Sequence, residues 1–331
     1  MLTLEDIYQR PIAVIGLGQI GMSWAAYFMA RGFQVRGSDP STEAAQRTLD
    51  YARVAWPLLQ ELGLVVDGAS PDNFEFHREV EKAVVGCGWV QENAPENLDL
   101  KIALLAQIDN ILPSSVVIAS STSALQMTQM QVSCKHPERC LTTHPFNPPH
   151  LVPLVELVGG EKTSKATLDL ACRFYSSVDR EPITLNREVF GHVANRLQYV
   201  LFNEAARLVF DGVASAADID RAVTWGPGLR WPVMGPFMTF HVAGGSKGII
   251  GAFEKFGPRD ATINDRAKRI ALDSHEQKVL HDQISEGIEG LTLAELEAER
   301  DEVLGRLYRL KREIERKRSL KGRKHSMNQV Q

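Results

Sequence analysis

Short apolar runs alternate with longer amphipathic stretches along the first half of the chain. Pro11 to Ile15 reads as a strand, and Phe33-Gln34-Val35 leads into another. Ser41 to Leu64 has helical spacing, interrupted by Pro57. Phe74 to Phe76 and Trp89 to Gln91 read as short strands, Leu98 to Ile111 as a helix and Val116 to Ser120 as a strand. Cys140 to Thr143 and Leu154 to Val158 are further strands. This alternation predicts an α/β fold with a doubly wound, mostly parallel sheet and helices on both faces. The pattern changes around Glu188 to Gly191, and strand signals almost vanish beyond it. Val193 to Val209 reads as a long helix, and Ser215 caps the next with Asp218 three residues on. Leu291 to Lys317 reads as an amphipathic helix carrying Leu293, Leu296, Val303, Leu307, Leu310 and Ile314 mostly at three- and four-residue steps. The expected organisation is an α/β domain over 1–188, an all-helical domain over 189–317 and a basic, disordered tail over 318–331.

The first strand runs straight into Gly16-Leu17-Gly18-Gln19-Ile20-Gly21, and the second ends at Asp39, 18 residues beyond Gly21. Strand, glycine turn, helix, strand and acid make the Rossmann arrangement that a dinucleotide needs. Gly16 allows the tight turn, Gly18 lets the backbone approach a pyrophosphate, and Gly21 lets the helix pack close to the sheet. The helix N-terminus, with Gln19 and Ile20, offers N–H groups and a positive dipole end to the phosphates. Asp39 can accept hydrogen bonds from the adenosine ribose hydroxyls and would repel a 2′-phosphate. Pro40-Ser41-Thr42 after it include no Arg. NAD, rather than NADP, is the expected cofactor.

The 331 residues allow about two domains, and 44% apolar with 24% charged residues is ordinary for a soluble globular protein. A net charge of −4 argues against nucleic acid or an anionic membrane as the main partner. Apolar runs are too short for a membrane span, and Glu5 and Asp6 do not suit a signal peptide. Cys87, Cys134, Cys140 and Cys172 have no paired metal spacing. They read as reduced thiols in a cytoplasmic protein, with no metal expected.

Removing a hydride from an alcohol needs a base for the hydroxyl proton and groups that hold the developing carbonyl oxygen. His144, in His144-Pro145-Phe146-Asn147-Pro148-Pro149, follows a strand, where such sheets bind ligands. Twelve residues later Glu156 stands in the apolar strand Leu154-Val155-Glu156-Leu157-Val158. A buried carboxylate needs a partner, and His144 is a natural one. A structural histidine and an edge-strand Glu are the alternative. Ser120-Ser121-Thr122-Ser123 also lies at the sheet's carboxyl edge, where a turn or a cap is the plainer reading of any one hydroxyl. Asn195 near the start of the second-domain helix reads either as a site residue or as a cap.

These segments, with Gln91-Glu92-Asn93-Ala94-Pro95-Glu96-Asn97-Leu98-Asp99-Leu100-Lys101 and Gly191-His192-Val193-Ala194-Asn195-Arg196-Leu197, resemble in order the 3-hydroxyacyl-CoA dehydrogenase superfamily over roughly residues 12 to 245. The resemblance implies a catalytic set of Ser123, His144, Glu156 and Asn195. It also implies Glu96 and Lys101 near the nicotinamide ribose, Asn147 beside the reacting carbon, and a homodimer formed through the helical domain. The stretch Trp225-Gly226-Pro227-Gly228-Leu229-Arg230-Trp231-Pro232-Val233-Met234-Gly235-Pro236-Phe237 is most similar to the carnitine 3-dehydrogenase branch, then to the lambda-crystallin type L-gulonate 3-dehydrogenases. The expected activity is NAD-dependent oxidation of the 3-hydroxyl of a small L-3-hydroxy acid. A short-chain 3-hydroxyacyl-CoA dehydrogenase and a crystallin-like structural or NADH-binding protein are the alternatives. Arg230 and Trp231 are the expected substrate contacts, Arg230 as a bidentate clamp on a carboxylate. Trp225, Trp231, Phe237 and Phe240 read as a cage for a quaternary ammonium or as ordinary core.

Overall fold

The computed structural model describes residues 1–232 and 234–256, then His275, Thr292, Glu295, Ala298, residues 301–310, Arg312, Glu313 and Arg316. The chain divides into two compact units, residues 1–193 and 194–331.

The first unit contains α1 (Leu4–Tyr8), β1 (Ile12–Ile15), α2 (Gln19–Ala30), β2 (Val35–Ser38), α3 (Glu43–Glu61), β3 (Phe74–His77), α4 (Val80–Val84) and β4 (Trp89–Glu92). It continues with α5 (Leu98–Ile111), β5 (Val117–Ser120), α6 (Met127–Met130), β6 (Cys140–Pro145), β7 (Leu154–Gly159), α7 (Lys165–Ser177) and β8 (Glu181–Thr184). The eight strands form one sheet in the order β3-β2-β1-β4-β5-β6-β7-β8. Every neighbouring pair is parallel except β6 with β7. Residues 146–153 are too few for a crossover, so β7 returns antiparallel. The strand order reverses between β1 and β4, opening the carboxyl edge of the sheet there.

Side-chain alternation divides each strand between two cores. Ala13, Ile15, Val90 and Ile118 face a buried cluster with Leu105, Ile108, Met127 and Met130 from α5 and α6. Trp89 points to the opposite face, where it stacks on Phe174 of α7 at 4.3 Å, and Trp24 of α2 stacks on Phe28 at 5.1 Å. Helix α7 and strand β8 add to the elements that the sequence pattern predicts. Thr167, Leu170, Ala171 and Phe174 of α7 are buried at i, i+3, i+4 and i+7, a helical signal present in the sequence. Strand β8, Glu-Pro-Ile-Thr, is a mostly exposed edge strand with a Pro, which hides the usual apolar signal. Helix α3 is continuous through Pro57, which withholds one N–H but leaves the buried Trp56 and Leu59 on one face.

Among the described residues the second unit is helical, with α8 (Ala194–Phe210), α9 (Ala216–Trp225), α10 (Pro236–Ala243) and α11 (Gly248–Phe256). Ser215 caps α9, accepting from the Asp218 N–H at 3.1 Å. Of the amphipathic helix expected over Leu291 to Lys317, residues 301–310 are helical, whereas Leu293, Leu296 and Ile314 lie outside the described residues. The expected tail, 318–331, lies outside them too. No helix of the described residues is long and apolar enough to cross a membrane.

Candidate active site

The turn between β1 and α2 suits a pyrophosphate. Gly16 has φ +86°, and a Cβ there would stand 2.7 Å from the Asn93 backbone. A Cβ at Gly21 would lie 1.9 Å from the Gly16 oxygen. The protein itself therefore demands glycine at both positions. A Cβ on Gly18 meets nothing within 4 Å. Only a molecule from outside would need that space. No side chain caps the first turn of α2, so its N–H groups face outward with the dipole behind them. Asp39 accepts from the Leu17 and Ser41 N–H groups, each at 2.9 Å, which ties the acid to the glycine turn. Beside it opens a cavity of about 490 Å³, lined by apolar groups such as Ile15, Val80 and Leu104 and also by Gly16, Asp39, Arg78 and Gln107. These features fit the adenosine half of a dinucleotide. The sequence after Asp39 has no Arg, but Arg78 reaches the same cavity from the end of β3.

His144 lies within β6 rather than after it, because the strand runs two residues past Thr143. Its register partner on β7 is Glu156. Nδ1 of His144 and Oε2 of Glu156 are 2.8 Å apart, with the side chains 7% and 0% exposed. β7 is flanked by β6 and β8, so Glu156 is not on an edge strand. The other carboxylate oxygen accepts from the Val193 N–H at 2.8 Å. An ionised carboxylate can only accept, so Nδ1 carries the proton and the Nε2 lone pair is left as a base. A second imidazole lies against the first: the rings of His192 and His144 are 4.8 Å apart. His192 is buried, and its Nε2 meets the Thr122 carbonyl at 3.2 Å. Burial, followed by the His144 charge, lowers the His192 pKa against the opposing pull of Thr122, Glu156 and Glu96. Nothing in the spacing of His192 announced this contact.

The segment after β5 is shaped by Glu96. Its Oε1 accepts from the Thr122 hydroxyl at 2.7 Å, from the N–H groups of Ser123 and Ala124 at 2.9 Å each, and from the Ser123 hydroxyl at 3.4 Å. Burial alone would raise the Glu96 pKa. The Thr122 hydroxyl, Lys101 and the two backbone N–H groups outweigh it, and the net direction is down. Ser123 is exposed, at the carboxyl edge that also carries His144. Lys101 is buried and donates to Glu92 at 2.7 Å and to the Ala94 carbonyl at 2.9 Å. Its ammonium is engaged within the protein. Asn147 is exposed, two residues past the end of β6.

In the second unit Asn195 is the second residue of α8, inside the helix, so it is not an N-cap. Arg230 is exposed at the end of the short 3₁₀ turn Pro227–Leu229. Trp225, Trp231, Phe237 and Phe240 are 77%, 42%, 85% and 51% exposed.

The model of the 3-hydroxyacyl-CoA dehydrogenase NAD binding domain matches residues 11–189, and that of the family's C-terminal domain matches residues 191–279. An L-carnitine dehydrogenase of Streptomyces griseus subsp. griseus is 46% identical over 301 residues, covering 90% of this chain and 88% of the relative. One from Bacillus cereus is 40% identical, covering 91% and 92%. Among solved structures, 5-formyl-3-hydroxy-2-methylpyridine 4-carboxylic acid 5-dehydrogenase, described as an NAD+ dependent dismutase, superposes with a TM-score of 0.78. It is 28% identical and covers 92% of this chain and 98% of its own. The Escherichia coli 3-hydroxybutyryl-CoA dehydrogenase gives a TM-score of 0.62 at 25% identity, covering 81% and 56%. With both family domains matched in sequence order, on a sheet that carries the glycine turn and the buried His–Glu pair, the chain belongs to the 3-hydroxyacyl-CoA dehydrogenase family and is an NAD-dependent oxidoreductase acting on CH–OH groups.

Proposed function

We propose that the chain oxidises the 3-hydroxyl of a small, free L-3-hydroxy acid of the carnitine type. The observation that carries the chemistry is the buried His144–Glu156 pair, whose carboxylate leaves Nε2 of the imidazole as the base. Nε2 takes the hydroxyl proton, while Glu156 keeps the ring oriented and balances the imidazolium. Ser123 and Asn195 hydrogen-bond the substrate oxygen. NAD, when bound, supplies the hydride acceptor. Gly16, Gly18, Gln19, Ile20 and Gly21 hold its pyrophosphate, Asp39 its adenosine ribose, and Glu96 and Asn147 border the nicotinamide end. Lys101 acts at that end through Glu92 and the Ala94 carbonyl.

The similarity to L-carnitine dehydrogenases supports a substrate carrying both a carboxylate and a quaternary ammonium. Arg230 provides a guanidinium for the first, and the exposed rings of Trp225, Trp231, Phe237 and Phe240 provide π-faces for the second. NADH formation with carnitine, gulonate, 3-hydroxybutyrate and 3-hydroxybutyryl-CoA tests this reading, and carnitine should be used best. Arg230→Met should lower kcat/KM for the free acid roughly 10–150-fold, the scale of losing about 1.5–3 kcal/mol of charge-assisted bonding. The loss should be small with a neutral ester. A preference for the CoA thioester that Arg230→Met leaves unchanged would overturn the free-acid reading.

A homodimer formed through the helical unit completes the proposal. Leu197, Tyr199, Val200 and Phe202 on α8 are each at least half exposed, more apolar surface than one helix normally shows to water. Light scattering at micromolar concentration should give twice the 36.8 kDa chain mass. A mass of one chain would contradict it.

A further inference from the structure

The cavity beside Asp39 contains a positive charge that the residues flanking Asp39 do not reveal. Ser38 and His77 are register partners on the parallel strands β2 and β3. Asp39 and Arg78 are the next residues on each strand. They leave the carboxyl edge side by side, on strands separated by about 4.8 Å. The Ser38 hydroxyl donates to the Arg78 carbonyl at 3.5 Å, which links the two strand ends. Both Asp39 and Arg78 line the same cavity. The Asp39 oxygens accept from backbone N–H groups of Leu17 and Ser41. The carboxylate is therefore anchored to the glycine turn. Among the described residues no acid is ion-paired with the exposed Arg78 guanidinium.

We propose that Arg78 is a specificity-determining residue at the adenosine end of the cofactor site, a cation beside the ribose 2′ position, so that exclusion of a 2′-phosphate rests on the Asp39 carboxylate alone. A planar guanidinium matches phosphate geometry and keeps its charge across the working pH range. With Asp39 in place, a 2′-phosphate meets an anion anchored to the glycine turn. With Asp39 neutral, the same phosphate meets an uncompensated cation. The chain is then one substitution away from accepting NADP, without a new basic residue. The inference rests on the reading of this cavity as the adenosine site.

The test is fluorescence titration of the full chain with NADH and NADPH, for the unmodified protein, Asp39→Asn, Asp39→Asn/Arg78→Ala and Asp39→Asn/Arg78→Lys. Asp39→Ser replaces Asp39→Asn throughout if the latter does not fold. The expected result is a gain in NADPH affinity of roughly tenfold or more in Asp39→Asn, the scale of one charge-assisted contact. The gain should shrink as salt is raised. Arg78→Ala in that background should abolish most of it, and Arg78→Lys should keep part of it. If the gain survives Arg78→Ala, the role of Arg78 is wrong while the adenosine reading stands. If Asp39→Asn changes binding of neither nucleotide, the cavity is not the adenosine site and both fall.

Discussion

Replacing His144 by Gln is expected to lower turnover by roughly 10²–10⁴-fold, the usual contribution of a positioned base, while NADH still binds. The two effects separate because the imidazole is hydrogen-bonded to Glu156, whereas Asp39 is hydrogen-bonded to the glycine turn. Gln has no basic nitrogen to take the hydroxyl proton. Glu156→Gln should also slow turnover. Its amide can turn either an acceptor or a donor toward Nδ1 and so no longer enforces the Nδ1–H tautomer, and the imidazolium loses its counter-charge. Steady-state kinetics across pH, with NADH titration as the binding control, would check both variants. Near-full turnover in His144→Gln would place the proton acceptor elsewhere.

Arg139→Met should destabilise the first unit by about 3–5 kcal/mol, the typical cost of leaving one member of a buried ion pair without its partner. The side chains of Arg139 and Asp109 are both fully buried, and the guanidinium donates to Asp109 Oδ1 through Nε at 2.9 Å and Nη2 at 2.6 Å. It also serves the carbonyls of Asp109, Leu112, Pro113 and Val116. Met removes every one of these donors. The second Asp109 oxygen accepts from the Lys135 and His136 N–H groups, so Asp109→Leu on top of Arg139→Met should recover only part of the loss. The pair joins the end of α5 to the start of β6, the strand that carries His144. Urea unfolding, compared at equal slope, measures the effect. A loss below about 1 kcal/mol would mean that water or rearrangement satisfies Asp109.

Periodicity along the chain was enough for β1, the glycine turn, α5 and the change from mixed to helical structure. These features depend mostly on neighbours a few residues apart: a tight turn that needs glycine, a repeat of two or of 3.6, a cap. Helix α7 was legible in the same way from Thr167, Leu170, Ala171 and Phe174, whereas the edge strand β8 was obscured by its Pro and its exposure. The pairing of His144 with Glu156 was within reach because a carboxylate in an apolar strand requires a partner.

The rest depended on which strands lie side by side. Register between β6 and β7 sets His144 opposite Glu156, and register between β2 and β3 sets Arg78 beside Asp39. The tilted ring contact of His192 with His144 and the cradling of the Ser123 segment by Glu96 are contacts between distant parts of the chain. Local spacing encodes the backbone state of each segment. The charge that a site residue meets is decided by packing across the sheet, since electrostatic and hydrogen-bonding partners act over a few ångströms of space whatever their separation in sequence.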